Sequence, residues 1–137
     1  MFEQCLYFNA TSLARKLERV WSAAFAPFGL TPAQAFMLRV VLDKPGALQS
    51  AVASQMNVTR STATRTIDGL EKLKLVERRS SSRDGREFEI HPTAQAISIH
   101  EALNRASGQV TRSLKQKFGA DVFQRVVGEI RATQNGL

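Results

Sequence analysis

The stretch from Leu48 to Ile90 constrains this chain most. Leu48, Val52 and Met56 recur at four-residue steps, which predicts a short helix over residues 48–56. Asn57 after it suits a left-handed turn, and Thr59 suits the N-cap of the next helix. That helix, over residues 60–72, carries Ala63, Ile67 and Leu70 on its inner stripe, continued by Leu73. Two short helices joined by three or four residues are a helix-turn-helix signal. The hydrophobic period then changes from 3.6 to 2. Val76-Glu77-Arg78-Arg79 and Glu87-Phe88-Glu89-Ile90 read as two strands, joined by a polar hairpin loop over residues 80–86 with Asp84-Gly85 as its turn dipeptide.

Helical patterns flank this unit on both sides. Leu13, Leu17, Val20, Ala24 and Phe28 mark one face of a helix over residues 3–26, stopped by Pro27 and Gly29. Thr31-Pro32-Ala33-Gln34 announces a second helix, with Thr31 as N-cap, Pro32 at the first helical position and Gln34 reaching back in a capping box. Met37, Leu38 and Val41 lie on one side of it and Phe36 and Val40 on another, which implies burial by two neighbours. Asp43-Lys44-Pro45-Gly46 ends it. Past Pro92-Thr93, the stripe Ile99, Leu103, Ala106, Val110, Leu114 and Lys117 or Phe118 describes a long helix close to a heptad repeat. Gly119 breaks it, and Val122, Phe123, Val126, Val127 and Ile130 define a last helix over residues 121–132. The expected fold is mainly α with a small β-wing: a winged helix-turn-helix with N- and C-terminal dimerisation helices. The winged unit spans about 30–92, and residues 1–29 and 93–137 form the arms. A winged unit of this size cannot cover three further amphipathic stripes, so they are expected to pack across a two-fold axis in a homodimer.

Charge points to a partner. The 137 residues carry a formal net charge of +7, with 43% hydrophobic and 23% charged residues, and a pI near 10.3. Between Arg60 and Arg86 stand eight basic residues against four acidic ones, so +4 of the +7 is concentrated there. In such a unit the second helix lies in the major groove, where base edges present a distinct pattern of donors and acceptors. The residues facing away from its inner stripe are Arg60, Ser61, Thr62, Thr64 and Arg65, all donors or acceptors. Arginine binds guanine bidentately, and hydroxyls serve bases or phosphates. Two half-units on a two-fold axis call for a palindromic operator in double-stranded DNA.

The quoted segments also carry a resemblance. Leu30-Thr31-Pro32-Ala33-Gln34, Val58-Thr59-Arg60-Ser61-Thr62-Ala63-Thr64-Arg65, Leu70-Glu71-Lys72-Leu73-Lys74-Leu75-Val76 and Arg83-Asp84-Gly85-Arg86 follow in order. Together they resemble the multiple-antibiotic-resistance regulator (MarR) family of bacterial and archaeal repressors, over nearly the whole chain. The resemblance implies a winged domain with terminal helices that make a two-fold dimer. It also implies a repressor released from its operator by a small phenolic or lipophilic effector or by oxidation. By position Arg86 is the wing arginine that enters the minor groove and Asp84 the residue that holds it; Gly85 between them and Arg83 before them are minor variations.

Other chemistries find little support. Cys5 is the one cysteine, so neither an intrachain disulfide nor a thiolate zinc site can form. Some relatives sense organic hydroperoxides through a cysteine in the first helix, which makes a redox role for Cys5 an alternative, although no Arg or Lys lies within several residues to activate the thiol. A second alternative is a winged protein-interaction module that no longer binds DNA. His91 and His100 are nine apart with Pro92 between them and form no metal pair. No phosphate-binding glycine motif or nucleophile–base pairing suggests an enzyme, and no cofactor is expected. Trp21 and the phenylalanines read as core before they read as pocket lining. With no apolar run near 20 residues and no signal-peptide pattern, a soluble, cytoplasmic protein without a membrane segment is expected.

Overall fold

The computed structural model describes residues 1–81 and 85–137. The expected wing-loop residues Arg83 and Asp84 lie outside the described residues. Helix α1 spans Leu6–Phe25 and ends in a 3-10 turn, Ala26–Phe28. Helix α2 spans Pro32–Asp43, strand β1 Ala47–Leu48, helix α3 Gln49–Gln55 and helix α4 Arg60–Lys72. Strands β2, Val76–Ser80, and β3, Phe88–Pro92, precede helices α5, Ala94–Phe118, and α6, Ala120–Asn135.

Local chemistry accounts for most of these boundaries. The Thr31 hydroxyl accepts from the Gln34 backbone N–H at 3.2 Å and the Gln34 side chain accepts from the Thr31 N–H at 3.0 Å, so the capping box of α2 is complete. Asn57 adopts φ 54°, the left-handed conformation that lets the chain turn between α3 and α4. Thr59 caps α4 and Thr93 caps α5. The Thr93 hydroxyl also donates to the Lys74 carbonyl at 2.8 Å, which ties the start of α5 to the turn between α4 and β2. Lys74 has φ 59° at that turn, a left-handed residue that no Gly or Asn announces. Gly119, with φ 85°, separates α5 from α6 as expected.

The sheet has three strands rather than two, in the order β1-β3-β2 and antiparallel throughout. Ala47 pairs with Ile90 and Leu48 with Glu89, which makes β3 the central strand. The additional strand was hidden in the sequence because two residues carry no period. Its approach is fixed by Gly46, whose N–H donates to the Ile90 carbonyl at 2.8 Å. Gly46 has φ 83°, and a Cβ there would lie 3.0 Å from the His91 ring.

A single core joins the middle of the chain to parts of both ends. Met37, Leu38 and Val41 of α2, Val52 of α3, and Ala63, Ile67 and Leu70 of α4 are buried with Val76 and Ile90 of the sheet. Phe25 at the end of α1 and Ala96 and Leu103 of α5 belong to the same cluster. The stripe on α5 therefore divides. Ile99, Leu103 and Ala106 face this chain's own core, and Val110, Leu114 and Phe118 run beyond it to increasing exposure. Leu103, fully buried within one chain, is thus a core residue, not a residue of the expected two-fold contact. Helix α6 packs mainly on α5 and has no buried residue. Its Val122, Val126, Val127 and Ile130 stay about two-fifths exposed. Among the described residues no single helix is long and apolar enough to cross a membrane.

Leu103→Ala is expected to destabilise the chain by about 2–5 kcal/mol, because it opens a cavity where α5 meets the core. Urea denaturation followed by circular dichroism measures this; a loss well under 1 kcal/mol would place Leu103 outside the core.

Candidate nucleic-acid interface

Helix α4 is held from behind by α2, α3 and β2, which leaves one edge of it outward. At one hundred degrees per residue, Ser61, Arg65, Asp68 and Lys72 share the outermost line, with Arg60, Thr64 and Glu71 on the flank toward the sheet. The expected site residues separate along that division. Arg60, Ser61 and Arg65 are exposed, whereas Thr62 and Thr64 are half-buried. Neither Arg60 nor Arg65 has a side-chain hydrogen bond or ion pair among the described residues. Arg86 is exposed at the start of the chain's return toward β3.

The hydroxyls largely serve the helix itself. Thr59 accepts from the Thr62 N–H at 3.2 Å, and its own hydroxyl donates to Thr62 Oγ1 at 3.0 Å. Thr64 donates to the Arg60 carbonyl at 3.0 Å and accepts from the Gln49 amide at 2.9 Å. Thr64 thus locks α3 to α4, while Ser61 and the two arginines form the outward polar edge.

A groove of about 1000 Å³ runs between α3, α4 and the start of β3. Arg60 and Arg86 line it, Phe88 forms part of its wall, and Arg78 and Asp68 lie at its base. Glu87 braces the wing side. Its carboxylate accepts from the Ser50 N–H at 3.0 Å, in the first turn of α3, where the helix dipole favours a negative charge. Arg78 braces the other side. It donates to Asp68 at 2.6 Å, to Glu71 at 3.0 Å and to the Thr64 carbonyl at 3.4 Å. Sequence reasoning counted Arg78 among the surface cations and passed over Glu87 and Gln49. A usable signal was present for Arg78: strand alternation puts it on the same face as the buried Val76, opposite Ile90. A cation on an inward face needs carboxylates, and α4 supplies two.

Cys5 lies far from this surface in sequence and caps α1, its sulfur accepting from the Phe8 N–H at 3.5 Å. The thiol is exposed, and that is its one hydrogen bond among the described residues. His91 faces Glu89 at 3.1 Å. No cluster of three or more potential metal ligands occurs among the described residues.

Comparison with known proteins agrees with this geometry. The MarR family model matches residues 28–87, from the end of the first helical segment to the wing. A Thauera aromatica protein assigned as a transcriptional regulatory protein for the hcr operon is 34% identical over 119 residues, covering 81% of this chain and 69% of the relative. The chain belongs to the MarR family of transcriptional regulators. Solved MarR-type structures share its fold at low identity. S. aureus MepR, in a complex with DNA, superposes with a TM-score of 0.86 at 18% identity, covering 98% of this chain and all of that one. The transcriptional repressor CouR, bound to a DNA duplex, gives 0.86 at 19% identity, covering 97% and 94%. For this MarR-family chain the winged helix-turn-helix architecture read from the sequence is therefore the observed one.

Thr64→Val keeps the shape of the side chain and removes both hydrogen bonds at the α3–α4 contact. Stability should fall by about 1 kcal/mol, measured by urea denaturation at fixed slope; unchanged stability would show that Gln49 and Arg60 find other partners without loss.

Proposed function

We propose that the chain is a homodimeric repressor that reads a palindromic operator in double-stranded DNA. Helix α4 enters the major groove, and the β2–β3 wing, through Arg86, meets the adjacent minor groove. Arg83 and Asp84 are assigned to the same DNA contact from their place in the sequence. The observation that carries this reading is the outward edge of α4: Arg60 and Arg65 are exposed and unpaired among the described residues on a helix braced from every other side. A rigid helix with cations held ready loses little entropy on docking, and guanidinium groups match guanine edges bidentately. The narrow minor groove over A·T-rich sequence attracts an inserted arginine. The MepR and CouR structures, both DNA complexes that share this fold, support the same reading.

In this reading residues of about 30–92 form the DNA-binding unit, and residues 1–29 and 93–137 form the dimer arms. The exposed apolar line of α6, Val122, Val126, Val127 and Ile130, together with Leu6 and Phe8 near the start of α1, supplies a surface that a second copy would cover. A two-fold axis there sets two copies of α4 against successive half-sites. A small lipophilic or phenolic effector releases the repressor from DNA. The dimer acts in the cytoplasm.

Arg65→Ala tests the reading at a single side chain. Affinity for a duplex selected with wild-type protein from a random-sequence library should fall by about 1–3 kcal/mol, with much less change on a scrambled duplex. Fluorescence anisotropy on both duplexes measures this; equal losses would move Arg65 to a phosphate contact. Val126→Asp is expected to convert the dimer to monomer, since an unpaired charge is costly in a covered apolar surface. Light scattering decides that point, and an unchanged dimer would place the two-fold contact elsewhere.

A further inference from the structure

We propose that Arg78 is a positioning residue for operator reading: by holding Asp68 it keeps Arg65 available to DNA. The inference deepens the DNA-binding reading above and rests on it. Asp68 follows Arg65 by three residues on α4, and Glu71 follows Asp68 by three more. Residues three and four apart on a helix are neighbours, and opposite charges there attract. Left alone, Asp68 would compete with DNA for the Arg65 guanidinium. It does not do so here, because Arg78 Nη2 holds Asp68 Oδ1 at 2.6 Å while Nη1 holds Glu71 Oε1 at 3.0 Å. The planar fork serves the two carboxylates at once, one from each terminal nitrogen.

The location of that stem decides the direction of the effect. Arg78 projects from the inward face of β2, and its side chain is 16% exposed, against 51% for Asp68 and 46% for Glu71. Both carboxylates are engaged by a cation that reaches them from the sheet side, although Asp68 itself lies on the line that carries Ser61 and Arg65. One cation also offsets half of the negative charge of the pair on a helix that must approach phosphates. The brace therefore does two things: it fixes α4 on the sheet, and it reserves Arg65 for reading.

A rescue experiment separates these effects. Wild type, Arg78→Ala and the double variant Arg78→Ala with Asp68→Asn are compared by fluorescence anisotropy, on the library-selected duplex and on the scrambled one. Arg78→Ala should lose about tenfold or more on the selected duplex and much of its discrimination against the scrambled one, as expected when a bidentate base contact is withdrawn. Adding Asp68→Asn should return discrimination to within about threefold of wild type, because the amide no longer captures Arg65. A double variant as indiscriminate as Arg78→Ala would overturn the inference and leave Arg78 as a structural strut. Undiminished binding by Arg78→Ala would overturn it as well. If Arg78→Ala lacks a cooperative unfolding transition, Arg78→Lys replaces it. The ammonium lacks the two fixed, separated nitrogens that hold Asp68 and Glu71, so its grip on Asp68 is expected to weaken, and the same rescue by Asp68→Asn is required. Wild-type protein that selects no duplex at all would instead remove the DNA-binding reading, and this inference with it.

Discussion

The outward edge of α4 depends on the seam behind it. Ala63, Ile67 and Leu70 are fully buried against α2, α3 and the first residues of β2. Protein interiors are close-packed, so a helix seated on three neighbours has little freedom to rotate or slide. A rotation of one residue along α4 would bury Arg60 or Thr64 and expose Ile67. The same apolar stripe that makes the helix fold thus aims its polar edge, and the precision of any groove contact derives from a contact that no ligand touches.

Much of this was legible in local pattern. The caps at Thr31 and Thr59, the left-handed Asn57 and the break at Gly119 each rest on one or two neighbouring residues, and each holds. Features that depend on a distant partner were not legible in this way. Strand β1 exists because Ile90 and Glu89 pair with Ala47 and Leu48, and a two-residue strand has no periodicity to read. Leu103 continued a heptad-like stripe, but whether that stripe faced its own core or a second copy depended on where α1 and α2 lay. Arg78 looked like one cation among eight, and only the register of β2 turns it inward. Lys74 takes a left-handed conformation with no glycine to mark it, because the hydrogen bond from Thr93 to its carbonyl holds the turn.

The charged groups are likewise sorted by what lies behind them. Glu87 points into the N-terminal turn of α3 and Arg78 toward the two carboxylates of α4, so both ends of the wing are tied to the helices through polar contacts. Among the described residues, Arg60 and Arg65 have no such backing. A net charge of +7 says little by itself about where cations are free to act. What distinguishes the α4 edge is that its cations are left unengaged on a rigid surface while a neighbouring cation absorbs the local acids.

The pairing of β1 with β3 also bears on the order in which the chain acquires structure. Residue 47 meets residue 90 only after α3, α4 and β2 have been brought between them, and closing so long a loop before those helices pack carries an entropy penalty with little to offset it. The two helices can form from local contacts within their own few turns. The pairing of β1 with β3 carries that penalty, whereas β2 and β3 are neighbours in sequence. The Gly46 N–H, bonded to the Ile90 carbonyl, belongs to that long-range closure and not to any local contact.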